Sequence, residues 1–133
     1  SRETGLMSLQ AYQAASQRSE DPRATEYRLF AQVTRALMAA KSLPMTDVRG
    51  RADAIDWNRR IWSNLAVDCA SNDNKLPEAL RAAIISLSIF VSKHGSVAMR
   101  DPSAIDDLVD INRTVMQGLM PQASSGVGGQ AAI

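Results

Sequence analysis

The chain has 133 residues, and its 15 lysines and arginines against 14 aspartates and glutamates leave a net charge of +1. That length favours one domain that builds its core without metal or disulfide support. The near-neutral charge provides no overall field to attract nucleic acid or an anionic membrane, and no apolar run reaches the roughly 18–20 residues of a membrane span. The single cysteine, Cys69, and the absence of a signal-peptide pattern favour a cytoplasmic protein.

The two ends differ in composition from the rest of the chain. Residues 1–6 are expected to be a vector remnant in front of a natural start at Met7. Residues 121–133 are rich in glycine, serine, alanine and glutamine and have no apolar period, so a disordered tail is expected there. Residues 7–120 are therefore predicted to form a single helical domain.

Two helices are predicted in the first third of the chain. Residues 9–17 are rich in alanine and glutamine and have an apolar edge that includes Tyr12, which predicts a short first helix. Asp21 followed by Pro22 combines an N-cap residue with the residue favoured at the first helical position. Apolar residues at helical spacing continue this second helix to about Lys41.

The third predicted helix carries both tryptophans. Thr46 or Asp47 is expected to cap its start, and the apolar pattern runs to about Cys69 or Ala70. Residues 71–74, Ser-Asn-Asp-Asn, are typical of a turn.

Residues 77–94 contain the most apolar run of the chain, and the other helices are expected to be organised around them. The length of this run, Pro77 at its start and Gly95 after its end favour a helix closed by a left-handed glycine cap over a buried strand. Since nearly every side of it is apolar, we expect it to be the central helix, covered from several directions.

The last predicted helix spans about residues 102–119 and follows another aspartate–proline pair, Asp101 and Pro102. Its apolar residues form the cleanest helical stripe of the chain. Four main helices, one short N-terminal helix and no hairpin signal predict an all-α bundle in which short loops make successive helices antiparallel neighbours.

No set of residues points to catalysis. The one histidine, His94, is expected at a helix end, and Cys69 is expected to be a small core residue. The acidic residues of the last helix suit its positive N-terminal end and offer too few oxygen ligands for a hard cation. We therefore expect no enzyme activity, no cofactor and no metal site.

Nucleic-acid binding is weighed on the third helix, where basic residues flank the two tryptophans. Acidic residues in the same stretch nearly cancel the charge, and pairs such as Asp56 with Arg60 fit a solvated helix face. Direct nucleic-acid binding is therefore not favoured. The residues concerned are Arg49, Arg51, Arg59 and Arg60, against Asp47, Asp53 and Asp56.

A surface for another protein is the remaining hypothesis. Trp62 lies on the buried stripe of the third helix, whereas Trp57 lies off its centre and shares a flank with Ile61. Trp57 is either the edge of the core or an anchor for a partner. The short first helix is a second candidate, because it could swing away and admit a helix of the partner.

Three separated blocks resemble one known family. They are SLQAYQAASQRSEDPRATEYRLFAQVTRAL, WNRRIWSNLAVDCASNDNKLPEALRAAIISLSIFVSKH and IDDLVDINRTVMQGL. Together they look like the flagellar biosynthesis regulator FlaF of α-proteobacteria, over about residues 7–119.

The resemblance implies a cytoplasmic protein that binds flagellin like a chaperone and supports flagellin production, export and filament assembly. It implies the companion protein FlbT and the flagellar export apparatus as further partners. An alternative is post-transcriptional regulation of flagellin synthesis, on flagellin mRNA directly or through FlbT. A terminal helical segment of flagellin is the expected ligand, and its expected contacts are Tyr12, Trp57, Arg59, Arg60 and Ile61.

Overall fold

The structure, a computed structural model, describes residues 22–118. This part of the chain is four helices without a strand, which confirms the all-α prediction: α1 Pro22–Lys41, α2 Val48–Ala70, α3 Glu78–Ala98 and α4 Ser103–Gly118. Residues 29–118 form one compact unit. The predicted first helix at residues 9–17 lies outside the described residues.

Polar side chains define the starts of two helices where the sequence predicts them. The Asp47 carboxylate accepts a hydrogen bond from the Gly50 N–H at 2.8 Å and caps α2. Before α4, the Asp101 carboxylate accepts hydrogen bonds from the Ser103 N–H at 3.0 Å and from its hydroxyl at 2.6 Å. These contacts pair backbone N–H groups that the first helical turn leaves without a partner.

The core of residues 29–118 lies where α1, α2 and α4 meet. Phe30 of α1 packs edge-on against Trp62 of α2, with ring centroids 5.4 Å apart. α4 inserts the apolar stripe predicted from its sequence, and Cys69 is buried as expected. The fully buried large side chains include Trp62, Phe30, Leu37, Ile105, Leu108, Val33 and Val91.

A polar network crosses this core and joins three helices. The Trp62 indole donates from Nε1 to Asn112 Oδ1 at 2.8 Å, while Asn112 Nδ2 donates to Asn58 Oδ1 at 2.8 Å and to Thr34 Oγ1 at 3.1 Å. Because the indole only donates, it fixes which side of the Asn112 amide faces it. The Nδ2 group of Asn58 is left without a hydrogen-bond partner within residues 22–118.

The outer side of α3 is exposed, and the prediction that this helix is covered from several directions is wrong. Its buried residues are Ser88, Val91, Gly95 and Ala98, all on one face. On other faces, Ile89 is 54% exposed and Phe90 44% exposed. Within residues 22–118, α2 and α4 pack against one face of α3. Its continuous apolar sequence therefore reflects a second, exposed apolar surface as well as the core.

Gly95 lies inside α3, and the prediction that it ends the helix is wrong. It has no positive φ, and the helix continues to Ala98, whose side chain is fully buried. A Cβ added at Gly95 would lie 3.0 Å from Ile55 Cγ2 of α2. Gly95 is therefore explained by the close approach of α2 and α3, which requires a residue without a side chain and not a residue with a positive φ.

Candidate functional site

An open apolar groove runs between α1 and α2, with a volume of about 310 Å³. Small side chains on both helices leave this space, and Trp57 forms part of one wall. Asp53 supplies the single charged side chain of the lining. We call this the α1/α2 groove; its lining residues are Ala36, Ala39, Ala40, Leu43, Gly50, Asp53, Ala54 and Trp57.

One end of the groove is shaped by close packing of Leu43 on Gly50. A Cβ at Gly50 would lie only 2.5 Å from Leu43 Cδ1 and 3.0 Å from the Asp47 carboxylate. Any larger residue at position 50 would displace Leu43 or the cap of α2. Gly50 lowers the helix propensity of the first turn of α2, but its missing side chain allows the loop to close this end of the groove.

A buried arginine holds the same loop in place. Arg51 is 3% exposed, and its guanidinium donates from Nη1 to the Met45 carbonyl at 3.0 Å and from Nε to the Met99 carbonyl at 3.2 Å. A longer bond of 3.4 Å reaches the Pro44 carbonyl. The guanidinium carries several N–H donors in a fixed geometry, so it can bond carbonyl groups of two segments at once. Arg51 thereby ties the α1–α2 loop to the C-terminal end of α3. It is therefore a structural residue and not part of a basic surface.

The predicted partner-binding residues occupy two sides of α2. Trp57 and Ile61 are both partly exposed and lie one turn apart, and of the two only Trp57 lines the α1/α2 groove. At about 100° per residue, Arg60 lies about 60° around the helix from Trp57, but Arg59 lies about 160° away. Arg59 instead lines a second open groove of about 300 Å³ between α2 and α3. Tyr12 lies outside the described residues.

Asp56 pairs with both of these arginines. Arg59 Nη2 bonds one carboxylate oxygen, and Arg60 Nε lies 3.2 Å from the other. The hydrogen bond from Arg59, followed by its charge and that of Arg60, lowers the pKa of Asp56 although the group is at the surface. The positive charge of the predicted rim is therefore partly neutralised in place, as the sequence spacing of Asp56 and Arg60 indicates.

Two further pairs of titratable side chains link helices at the surface. His94 Nε2 lies 2.8 Å from Asp107 of α4, and its ring stacks on Phe90 with centroids 4.8 Å apart. Lys41 of α1 donates to Asp106 at 2.7 Å. Within the described ranges, no three histidine, cysteine or acidic side chains form a group that could hold a metal ion.

These observations define a small all-α bundle protein with an open apolar groove on its surface. Within residues 22–118, no helix is both long and apolar enough to cross a membrane.

Comparison with known families then identifies the group to which the chain belongs. Residues 8–119 match the family described as flagellar protein FlaF. The chain is a member of the FlaF family, with a role in flagellar biogenesis. Neither the curated proteins nor the solved structures give a match.

Proposed function

We propose that this chain is a cytoplasmic flagellin chaperone and adaptor, without enzymatic activity, that lays a terminal helical segment of flagellin into the α1/α2 groove. Covering such a segment would prevent premature polymerisation and keep the subunit competent for export. FlbT and the flagellar export apparatus are the further partners of this proposal.

The observation that carries the proposal is an apolar groove with a tryptophan wall in a flagellar protein. Its alanine and glycine lining allows the backbone of another helix to approach closely, so the large apolar side chains would come from the ligand. Trp57 supplies a broad apolar contact of the kind that dominates binding energy at interfaces. Asp53 favours a ligand that carries a lysine, an arginine or a hydrogen-bond donor beside its apolar stripe.

The runner-up is regulation of flagellin synthesis through flagellin mRNA, directly or through FlbT. Direct contact would need cations free to pair with phosphates. Arg59 and Arg60 both pair with Asp56, and Arg51 is buried against carbonyl groups. This arrangement favours the protein ligand. RNA binding that weakens steeply with salt would support the alternative.

The test is calorimetric titration of the full chain with flagellin and with flagellin lacking either terminus. A one-to-one complex that is lost with one particular truncation supports the chaperone. Trp57→Ala is expected to weaken binding by about 30-fold or more, the scale of an interface hot spot. Tyr12→Ala tests the first-helix contact that the sequence predicts.

Val67→Ala is the matched control, because Val67 is an apolar residue of the same helix that is 72% exposed and does not line the groove. It should bind flagellin like the unmodified chain. Unchanged binding by a stably folded Trp57→Ala variant would remove the α1/α2 groove from the proposal. Failure of both flagellin truncations to change binding would argue against a terminal segment as the ligand.

A further inference from the structure

A second apolar surface lies on the outer side of α3, away from the α1/α2 groove. Its residues recur at a spacing of three or four and are exposed, opposite the face that carries Ser88 and Val91. We call it the α3 outer face; it comprises Ala79, Ala82, Ala83, Ser86, Ile89 and Phe90. None of them lines the α1/α2 groove.

The α3 outer face is complementary in size to itself. Its N-terminal half carries alanines and its C-terminal half carries Ile89 and Phe90, with Ser86 midway between them. If a second α3 lies antiparallel across it with the two Ser86 residues opposite each other, Phe90 falls opposite Ala82 and Ile89 opposite Ala83. Large side chains then enter the spaces over small ones on both halves, the arrangement needed for close helix packing.

The charges at the two ends of the face follow the same antiparallel register. Between Ala82 and Phe90 the face has no charged residue. Exposed Glu78 lies just before it and exposed Lys93 just after it, so an antiparallel pair brings each glutamate beside the lysine of the other copy. A parallel pair would instead place like charges together and large side chains against large ones.

The ring of Phe90 is already held in place for such a contact. It stacks on His94, with centroids 4.8 Å apart and planes inclined by 20°, and His94 is in turn bonded to Asp107. A side chain that is restrained before binding loses less conformational freedom when a partner covers it.

We propose that the α3 outer face is a self-association surface on which two copies of this chain pack antiparallel about a two-fold axis through Ser86. One helix face per copy falls below the roughly 1,200 Å² of a standard interface. The dimer is therefore weak and reversible and forms at micromolar or higher concentration. It does not depend on the proposed flagellin groove, which lies on other helices.

The first test is sedimentation equilibrium of the full chain over a range of concentrations. The mass should rise from 14.4 kDa towards twice that value. Ala83→Glu places a charge opposite Ile89 of the other copy while keeping a good helix former at an exposed position, and should weaken association at least tenfold. Circular dichroism and flagellin binding should stay as in the unmodified chain.

A second test reports the register. Ser86→Cys should form a disulfide across the axis under mild oxidation, whereas Ser92→Cys, an exposed serine on another side of the same helix, should not. Glu78→Lys and Lys93→Glu should each weaken the dimer, and the double variant should restore it. In a parallel pair, residue 78 would face residue 78 and residue 93 would face residue 93. Each single substitution would then only exchange one like-charge contact for another.

The proposal is overturned if the chain stays monomeric up to its solubility limit and the two cysteine variants cross-link equally slowly. It is also overturned if Ala83→Glu weakens flagellin binding and leaves the mass distribution unchanged, because the α3 outer face would then serve flagellin. Loss of flagellin binding by Trp57→Ala with unchanged self-association would bear on the α1/α2 groove alone and would leave the dimer proposal standing.

Discussion

Replacing Asn112 by leucine would test the polar network at the centre of the bundle. Asn112 makes three hydrogen bonds, to Trp62, Asn58 and Thr34, and is fully buried. Leucine has the same branched shape and number of non-hydrogen atoms but no polar atoms, and it is somewhat larger. The substitution therefore removes all three bonds while keeping the branched shape of the side chain.

The expected cost follows from the groups left behind. Trp62 Nε1 and Asn58 Oδ1 would lose their partners inside the core, and each such group costs about 1–3 kcal/mol. Subtracting about 1 kcal/mol for the added apolar burial gives a net loss of roughly 1–5 kcal/mol. Since the free energy of unfolding of a small domain is about 5–15 kcal/mol, Asn112→Leu should remove a large part of it.

Asn58→Leu is the control in the same network, because Asn58 makes one of these bonds and already has an unpaired Nδ2 group. Removing Asn58 leaves one N–H of Asn112 unpaired but also eliminates the unpaired Nδ2 amino group of Asn58 itself. Its cost should stay within about 1 kcal/mol. Urea unfolding followed by circular dichroism measures both variants. If Asn58→Leu destabilises as much as Asn112→Leu, the description of Asn112 as the centre of the network is wrong.

Two further predictions concern close packing and pH. Gly95→Val should destabilise the protein by about 1–3 kcal/mol, because a side chain there would press on Ile55. Gly118→Val is the control, since an added Cβ there meets nothing, and its effect should stay within about 0.5 kcal/mol. Equal losses of stability for the two variants in urea unfolding would contradict this prediction. The hydroxyl of Ser103, and then its backbone N–H, hold the pKa of Asp101 below its ordinary 3.8. Because the pKa of Asp101 is lower in the folded protein than in the unfolded chain, its carboxylate contributes fully to stability above the unfolded-state pKa. This contribution is lost as the pH falls through the folded-state pKa. Asp101→Asn should therefore make thermal stability less dependent on pH between about 5 and 2. An unchanged pH profile would contradict that cause.

The sequence predicts the helices well because their start signals and spacing are local. Asp47 caps α2, and Asp101 lies in the turn before α4; each accepts a hydrogen bond from the first turn of its helix. The apolar stripe of α4 becomes part of the core. Gly95 was mispredicted because a local rule was applied where a neighbouring helix decides. No pattern within residues 77–94 indicates that Ile55 approaches so closely.

The candidate sites were harder to predict because exposure depends on how many neighbours each helix has. Trp57 and Ile61 do share a flank, as their spacing indicates, whereas Arg59 and Arg60 are neighbours in sequence but lie on different sides of α2. The exposed Phe90 was missed because an all-apolar run does not show which of its faces remains uncovered. The asymmetry of small and large residues about Ser86 was a signal that could have revealed it.

The buried Arg51 has a consequence for how the α1/α2 groove can adapt to different ligands. Leu43 meets Gly50 at the loop end of the groove. Widening the groove there would pull the Met45 carbonyl away from the buried Arg51 guanidinium, which also bonds the Met99 carbonyl. Such a loss is far more costly than a change in the side-chain rotamer of Trp57. The groove therefore has one rigid end and one adjustable end. The rigid end would fix the position of one end of a helical ligand, and would therefore set the orientation of the ligand along the groove.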